Sequence, residues 1–272
     1  MNKTVLITGV TGTIGKATAI EIAKTGAALV LLARNKIRLE SVRNEIVLKT
    51  GNNNVDILLS DFSAINSVKV AADQIKQKYN RLDALINIAA VFKSQREITT
   101  DNLEMMFAIN HLAPFVLTTR LTDLLKASKP ARIITITAPT VTKLNFDDLQ
   151  GEKKFSALNA FGASKMMNLL FTYSLARRLE GTGVSASALH PGLVKSDLTN
   201  EMPSVLRNIT RLMSGKPDKA AKMICSLSVG ANYPDINGKF YKFNGKELRS
   251  SAYSYDKELE EKLWMISEQL SQ

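Results

Sequence analysis

The chain is nearly free of cysteine. Cys225 is the only one in 272 residues, so no intramolecular disulfide can close and no cysteine cluster offers metal ligands at the usual spacing. A reducing compartment, and with it a cytoplasmic location, is the expectation. No segment approaches the roughly 18 consecutive apolar residues of a membrane span, and the opening MNKTVLITG reaches glycine too soon for a secretory signal. Proline and glycine are sparse, at 7 and 14, and no linker, repeat or low-complexity tract built from them interrupts the chain. Charge is one-sided, with 36 basic against 25 acidic side chains, yet no block of five like charges occurs. That pattern argues for a solvated surface plus a local anion site and against a nucleic-acid face.

What the sequence does have is alternation. Short apolar runs rich in β-branched residues recur as TVLIT (4–8), ALVLLA (28–33), VDILLS (55–60), LDALINI (82–88), RIITIT (132–137), VSASALH (184–190) and KFYKF (239–243). Helical spacing fills the gaps near 15–25, 36–50, 64–79, 100–127, 158–180 and 217–230. Runs such as ALVLLA are apolar on both faces, as strands buried between two helix layers must be. The expectation is an α/β fold: one Rossmann-type, doubly wound parallel sheet of about seven strands in the order 3-2-1-4-5-6-7, forming a single domain over 1–272. The stretch from Tyr255 to Gln272 reads as a terminal amphipathic helix with Leu259, Leu263, Ile266 and Leu270 on one stripe.

The first strand runs into TGVTGTIG, which sets Gly9, Gly12 and Gly15 at the start of the first helix. Glycines permit a tight turn and close backbone approach, and a helix N-terminus favours a pyrophosphate. Thr8, Gly9, Gly12, Thr13, Ile14 and Gly15 are therefore candidate cofactor residues. Dinucleotide folds selective for NAD place an acid at the end of the second strand, whereas this chain reads LLARNK. Arg34, with Lys36 beside it, suits a 2′-phosphate and favours NADP(H), with NAD(H) as the alternative. Asp61, ending the third strand, is a candidate acceptor for the adenine amino group, or else a helix N-terminal acid before Ser63.

At this point the chain resembles the short-chain dehydrogenase/reductases, and within them the retinol-dehydrogenase and WW-domain-oxidoreductase-like members. The resemblance is carried by LLARN, INIAA, FAINHLAPFVLT, AFGASKMMNLLFTYSLARRLEGTGV, ALHPGLVKSDL and LWMISEQL. It implies that Asn87 and Ala89 line the adenine-ribose side, and that Asn110 supports the active-site Lys165, often through a water. Lys165 would hold the nicotinamide ribose. Pro191, Gly192, Val194 and Ser196 match the segment that brackets the nicotinamide. The resemblance also implies a homodimer or homotetramer formed through the helices near 100–127 and 158–180.

Two positions depart from the family's chemistry. Its proton source is a tyrosine four residues before the lysine, where i, i+4 spacing brings the two side chains onto one helix face. This chain has Phe161 there. Its carbonyl-binding serine falls on Ala138, also without a hydroxyl. Thr137 points to the opposite side of its strand, and Thr140 follows the disruptive Pro139. His111 and His190 lie in family-like segments and read as structural. Tyr173, three turns beyond Phe161 and roughly 18 Å along the helix, is too far to substitute. Losing a general acid costs about 10²–10⁴-fold and losing an oxyanion donor about 10²–10³-fold, so conventional turnover is expected to be weak.

Residues 197–216 stand where the family carries its substrate lid. Leu198, Met202, Val205, Leu206, Ile209, Leu212 and Met213 give it an apolar face suited to a lipophilic small molecule. Three functions follow: an NADP(H)-dependent carbonyl/alcohol oxidoreductase without the usual hydroxyls, a cofactor-binding pseudoenzyme, or a non-redox isomerase, dehydratase or cyclase reusing the pocket.

Overall fold

The structure is a computed structural model that describes residues 3–195, 198, 201, 208 and 214–272. Its strands are β1 (Thr4–Thr8), β2 (Ala28–Ala33), β3 (Val55–Leu59), β4 (Ala84–Asn87), β5 (Ala131–Ile136), β6 (Val184–His190), β7 (Phe240–Lys242) and β8 (Glu247–Leu248). They form one sheet in the order β3-β2-β1-β4-β5-β6-β7-β8, parallel throughout except for the last pair. The expected seven-strand order is therefore present, extended by one antiparallel strand. That addition is a hairpin whose turn is Asn244–Gly245, with Gly245 at φ +84°. An Asn-Gly pair is the local signal for it, masked by the two-residue length of β8.

The helices are α1 (Thr13–Ala23), α2 (Lys36–Thr50), α3 (Ile65–Lys78), α4 (Met105–Phe107), α5 (Ala113–Ser128), α6 (Ala157–Arg178), α7 (Asp218–Val229) and α8 (Lys257–Leu270). A π-helical turn, Ala108–Leu112, joins α4 to α5, so the helix expected over 100–127 is wound wider in the middle. Such turns recur at functional sites, and this one carries Asn110 and His111.

Each strand side chain alternates between two cores. Leu6, Val30, Leu32 and Leu85 meet α3, α5 and α6, whereas Val5, Ile7, Leu29, Leu31 and Ile86 meet α1, α2 and α7. Both faces of the sheet are covered, which is why the polar residues of β1 and β4 stand only at the strand ends.

Helix α8 changes the surface of the first layer. Its Trp264 packs against Phe115 at 4.9 Å and Phe171 at 5.9 Å between ring centroids, and the Arg178 guanidinium lies 4.1 Å from the Trp264 ring. Arg177 pairs with the buried Glu260, and Ser267 bonds the His111 imidazole at 2.9 Å. Every residue of α6 from Ser164 to Ala176 is buried. The chain's own C-terminal helix thus packs on part of the helix expected near 158–180.

His111 is fully buried among Phe107, Phe115 and Phe171, and desolvation lowers its pKa to about 4 despite the opposing effect of Asn168. Because the folded value lies below that of the unfolded chain, near 6.5, its contribution is intact above pH 6.5 and is lost as pH falls toward 4. Up to about 3 kcal/mol should disappear over that window. Urea titrations of the protein and of His111→Gln between pH 7 and 4 should show a steeper pH dependence in the former.

Candidate active site

The site begins with a tight contact at the carboxyl ends of β1 and β4. The Thr8 hydroxyl, fully buried, accepts from the amides of Ile88 at 3.0 Å and Ala89 at 3.2 Å. Gly9 then turns at φ +70°, and a Cβ there would stand 2.7 Å from the Ala89 nitrogen. A Cβ on Gly15 would stand 2.2 Å from the Gly9 carbonyl oxygen, so α1 can start this close to the turn only with glycine. Gly12 caps α1 without a side-chain hydrogen bond, and the first turn holds no acid. The helix presents a bare, positively polarised N-terminus.

That terminus opens onto a cavity of about 280 Å³. Gly9, Gly12, Thr13, Ile14 and Gly15 form one wall, Arg34 and Arg38 the rim, Ser60, Asp61 and Phe62 one end, and Ile88, Ala89 and Val91 the opposite side. Thr8 is behind this wall, not in it. Asn87 also faces away: it is buried, and its Nδ2 donates to the Thr118 hydroxyl at 3.1 Å. Thr8 thus ties β1 to β4 and its loop, and Asn87 ties β4 to α5.

At the β2 tip, Asn35 caps α2 by accepting from the Arg38 amide at 2.9 Å. This sets the helix phase so that Arg38, whose Nη2 donates to the Thr11 carbonyl at 3.3 Å, lines the cavity. Lys36 does not line it and stands 4.0 Å from Glu40. Arg38 was the residue missed, and its signal was the i, i+4 spacing from Arg34 behind an Asn cap. Asp61 is the only carboxylate among the described residues of the wall, and one of its oxygens accepts from the Ser63 amide at 3.0 Å and hydroxyl at 2.7 Å.

The catalytic end centres on α6. Lys165 is buried, with its ammonium 5.0 Å from the Phe161 ring centroid, and desolvation lowers its pKa to about 8. Phe161 meets Phe92 edge-on at 5.6 Å. Asn110 accepts from the Val91 amide at 2.7 Å and donates to the Val91 carbonyl at 3.0 Å and the Ser164 hydroxyl at 3.1 Å. Its side chain fastens the β4 loop to α6 and does not reach the lysine directly. Thr137 donates to the Lys165 carbonyl at 2.8 Å, and Thr140 to the Gly162 carbonyl at 3.3 Å. Ala138 is half-buried between them. Pro191, Gly192 and Val194 line a second cavity of about 670 Å³ with His190, Lys216, Lys219, Lys242 and Phe243. Ser196 lies outside the described residues, as does most of the expected lid; its Leu198 borders the first cavity, and Val194 bridges to Gly215.

A sheet parallel in all but its last pair, a glycine turn under an uncapped helix, and a buried lysine on the helix after β5 together define a nucleotide-binding oxidoreductase fold. The short chain dehydrogenase family model matches residues 3–206, and the chain belongs to the short-chain dehydrogenase/reductase family of oxidoreductases. It is 36% identical over 270 residues to mouse (Mus musculus) retinol dehydrogenase 12, covering 97% of this chain and 85% of that protein. To human (Homo sapiens) retinol dehydrogenase 13 it is 35% identical over 280 residues, covering 98% and 84%. Among solved structures, an uncharacterised protein from Mycobacterium paratuberculosis superposes with a TM-score of 0.78 at 26% identity, over 99% of this chain and 93% of that one. Among the described residues no helix is long and apolar enough to cross a membrane, and no cluster of His, Cys, Asp or Glu could hold a metal.

The glycine geometry yields a direct expectation. Gly15→Ala should push α1 off the turn, destabilise the fold by about 1–3 kcal/mol and weaken dinucleotide binding at least tenfold. Gly26→Ala, strained by its φ of +80° but with open space around the Cβ and outside the cavity wall, is the control for backbone strain away from the site. It should leave nucleotide binding intact, as read by NADPH fluorescence.

Proposed function

We propose that this protein binds NADP(H) and acts as a slow oxidoreductase on the carbonyl or alcohol group of a lipophilic small molecule. The observation that carries the reading is the arginine pair at the β2 tip. Arg34 and Arg38 border the cavity that the bare α1 terminus opens into, and no carboxylate stands at that tip to receive a ribose hydroxyl. Guanidinium groups suit a 2′-phosphate through charge-assisted hydrogen bonds. The residues present thus fit the cofactor: the α1 amides would hold the pyrophosphate, Arg34 and Arg38 the 2′-phosphate, and Asp61 and Ala89 the adenosine side. When bound and reduced, the cofactor supplies a hydride.

Apolar side chains lie next to Lys165 and in the cavity wall: Phe161 packs on Phe92, and Val91 and Leu198 line the first cavity. The names of the retinol dehydrogenase relatives point in the same direction. A second reading, a cofactor-binding pseudoenzyme, is favoured by one observation: Phe161 and Ala138 both lack the hydroxyl that would meet a substrate oxygen.

Two measurements test this. Arg34→Ala/Arg38→Ala should weaken NADPH binding by about 10–100-fold, equivalent to about 1.4–2.8 kcal/mol, and leave NADH binding nearly unchanged; equal losses for both would sink the NADP(H) reading. Phe161→Tyr/Ala138→Ser should raise carbonyl reduction by at least 10²-fold. Strong turnover by the unaltered chain would exclude the pseudoenzyme.

A further inference from the structure

We infer that the ε-ammonium of Lys165 is itself the proton donor to the substrate oxygen, in the place of a hydroxyl acid; this rests on the oxidoreductase reading above. The inference comes from accounting for every described donor that meets α6 between residues 161 and 165. Thr137 gives its proton to the Lys165 carbonyl, Thr140 to the Gly162 carbonyl and Ser164 to the Phe161 carbonyl. Asn110 is committed at both ends to Val91 and Ser164. Thr142 sits over Gly162, but an alcohol has no usable acidity near neutral pH. The Lys165 ammonium, in contrast, makes no hydrogen bond among the described residues. It lies against the ring that replaces the phenol, 5.0 Å from its centroid.

Burial gives this amine the right acidity. Its pKa is lowered to about 8, and desolvation is the sole cause. The titratable groups on the elements packed against α6 do not offset it. His111 in the π-turn is neutral and faces Ser267, and His190 at the end of β6 is likewise held below its usual value by burial. Glu104 caps α4 through the Met106 and Phe107 amides. Arg132 on β5 donates to the carbonyls of Leu227 and Tyr233. On α8 and the turn before it, Glu260 and Glu261 pair with Arg177 and Arg178, Lys262 lies over Phe146, Tyr255 stacks on Tyr173, and Tyr253 bonds the Leu144 backbone. A general acid works best when its pKa lies near the operating pH, and an ordinary lysine near 10.4 does not. In the step, one N–H bond of the ammonium breaks and an O–H bond forms on the substrate oxygen. Carbon receives the hydride that a reduced nicotinamide supplies, and the neutral amine regains its proton from water.

The sign follows directly: the ammonium is the active form for reduction, so the rate falls as pH rises through about 8. Lysine-selective ¹³C NMR of the full chain, with the Lys165 resonance identified by its loss in Lys165→Met, should show a midpoint near 8; a midpoint near 10.5 overturns the inference. With saturating NADPH and decanal as probe, kcat should decline tenfold per pH unit above the same midpoint. Lys165→Arg, which keeps the charge but does not titrate in this range, should lower kcat by about 10²–10⁴-fold and remove the decline. An unchanged profile in Lys165→Arg overturns the inference, as does NADPH binding with no detectable reduction of decanal. Failure to bind NADPH at all, read by fluorescence on the same samples, overturns the oxidoreductase reading instead.

Discussion

The close approach of β1 to β4 is the contact on which the nucleotide end of this molecule depends. Thr8 places its hydroxyl under two consecutive amides of the β4 loop, and Gly9 follows with no Cβ, so that two backbones meet at a separation no side chain would allow. One strand then delivers the α1 terminus and the other delivers Ile88 to Val91 to the same cavity. Asn110 repeats the device a layer away by gripping both the amide and the carbonyl of Val91, which ties the same loop to α6 and hence to Lys165. Both ends of the site thus hang on a single loop, pinned by one threonine and one asparagine.

Within this frame the two ends of the site differ in what their side chains offer. The glycine turn, the cationic rim and the buried lysine are all in place, whereas the two hydroxyls that would meet a substrate oxygen are a phenyl ring and a methyl group. Phe161 fills the space of a phenol and packs on Phe92. The Lys165 ammonium therefore faces a hydrocarbon ring.

Much of this was legible in the residues, because burial on both faces of a parallel sheet enforces a nearly unbroken apolar code. β1, β2, β6 and α2 have the bounds that TVLIT, ALVLLA, VSASALH and the segment after Asn35 suggest. Side-chain direction was less legible. Lys36 and Arg38 are equally plausible partners for a phosphate until the Asn35 cap fixes where α2 begins, and that phase turns Arg38 inward. Thr8 and Asn87 belong to nucleotide-binding segments by position, yet backbone amides engage the Thr8 hydroxyl and Thr118 accepts from the Asn87 Nδ2. The π-turn that holds Asn110 has no compositional signature, since it arises from how α4 and α5 must meet α6. The packing of α8 on α6 was hidden for a related reason: amphipathicity showed that α8 has an apolar stripe, but not which helices it would cover.

The covering of α6 by α8 bears on the order in which the molecule can be assembled on a ribosome. The residues of α6 and its two neighbouring strands emerge well before Trp264, so a broad aromatic surface, including Phe115 and Phe171, must wait exposed while the rest of the chain is made. Until then the nascent chain displays the kind of surface that chaperones retain and that promotes aggregation. Completion of the first core is therefore a late event in synthesis, and Trp264 fluorescence is a natural reporter of the moment it closes.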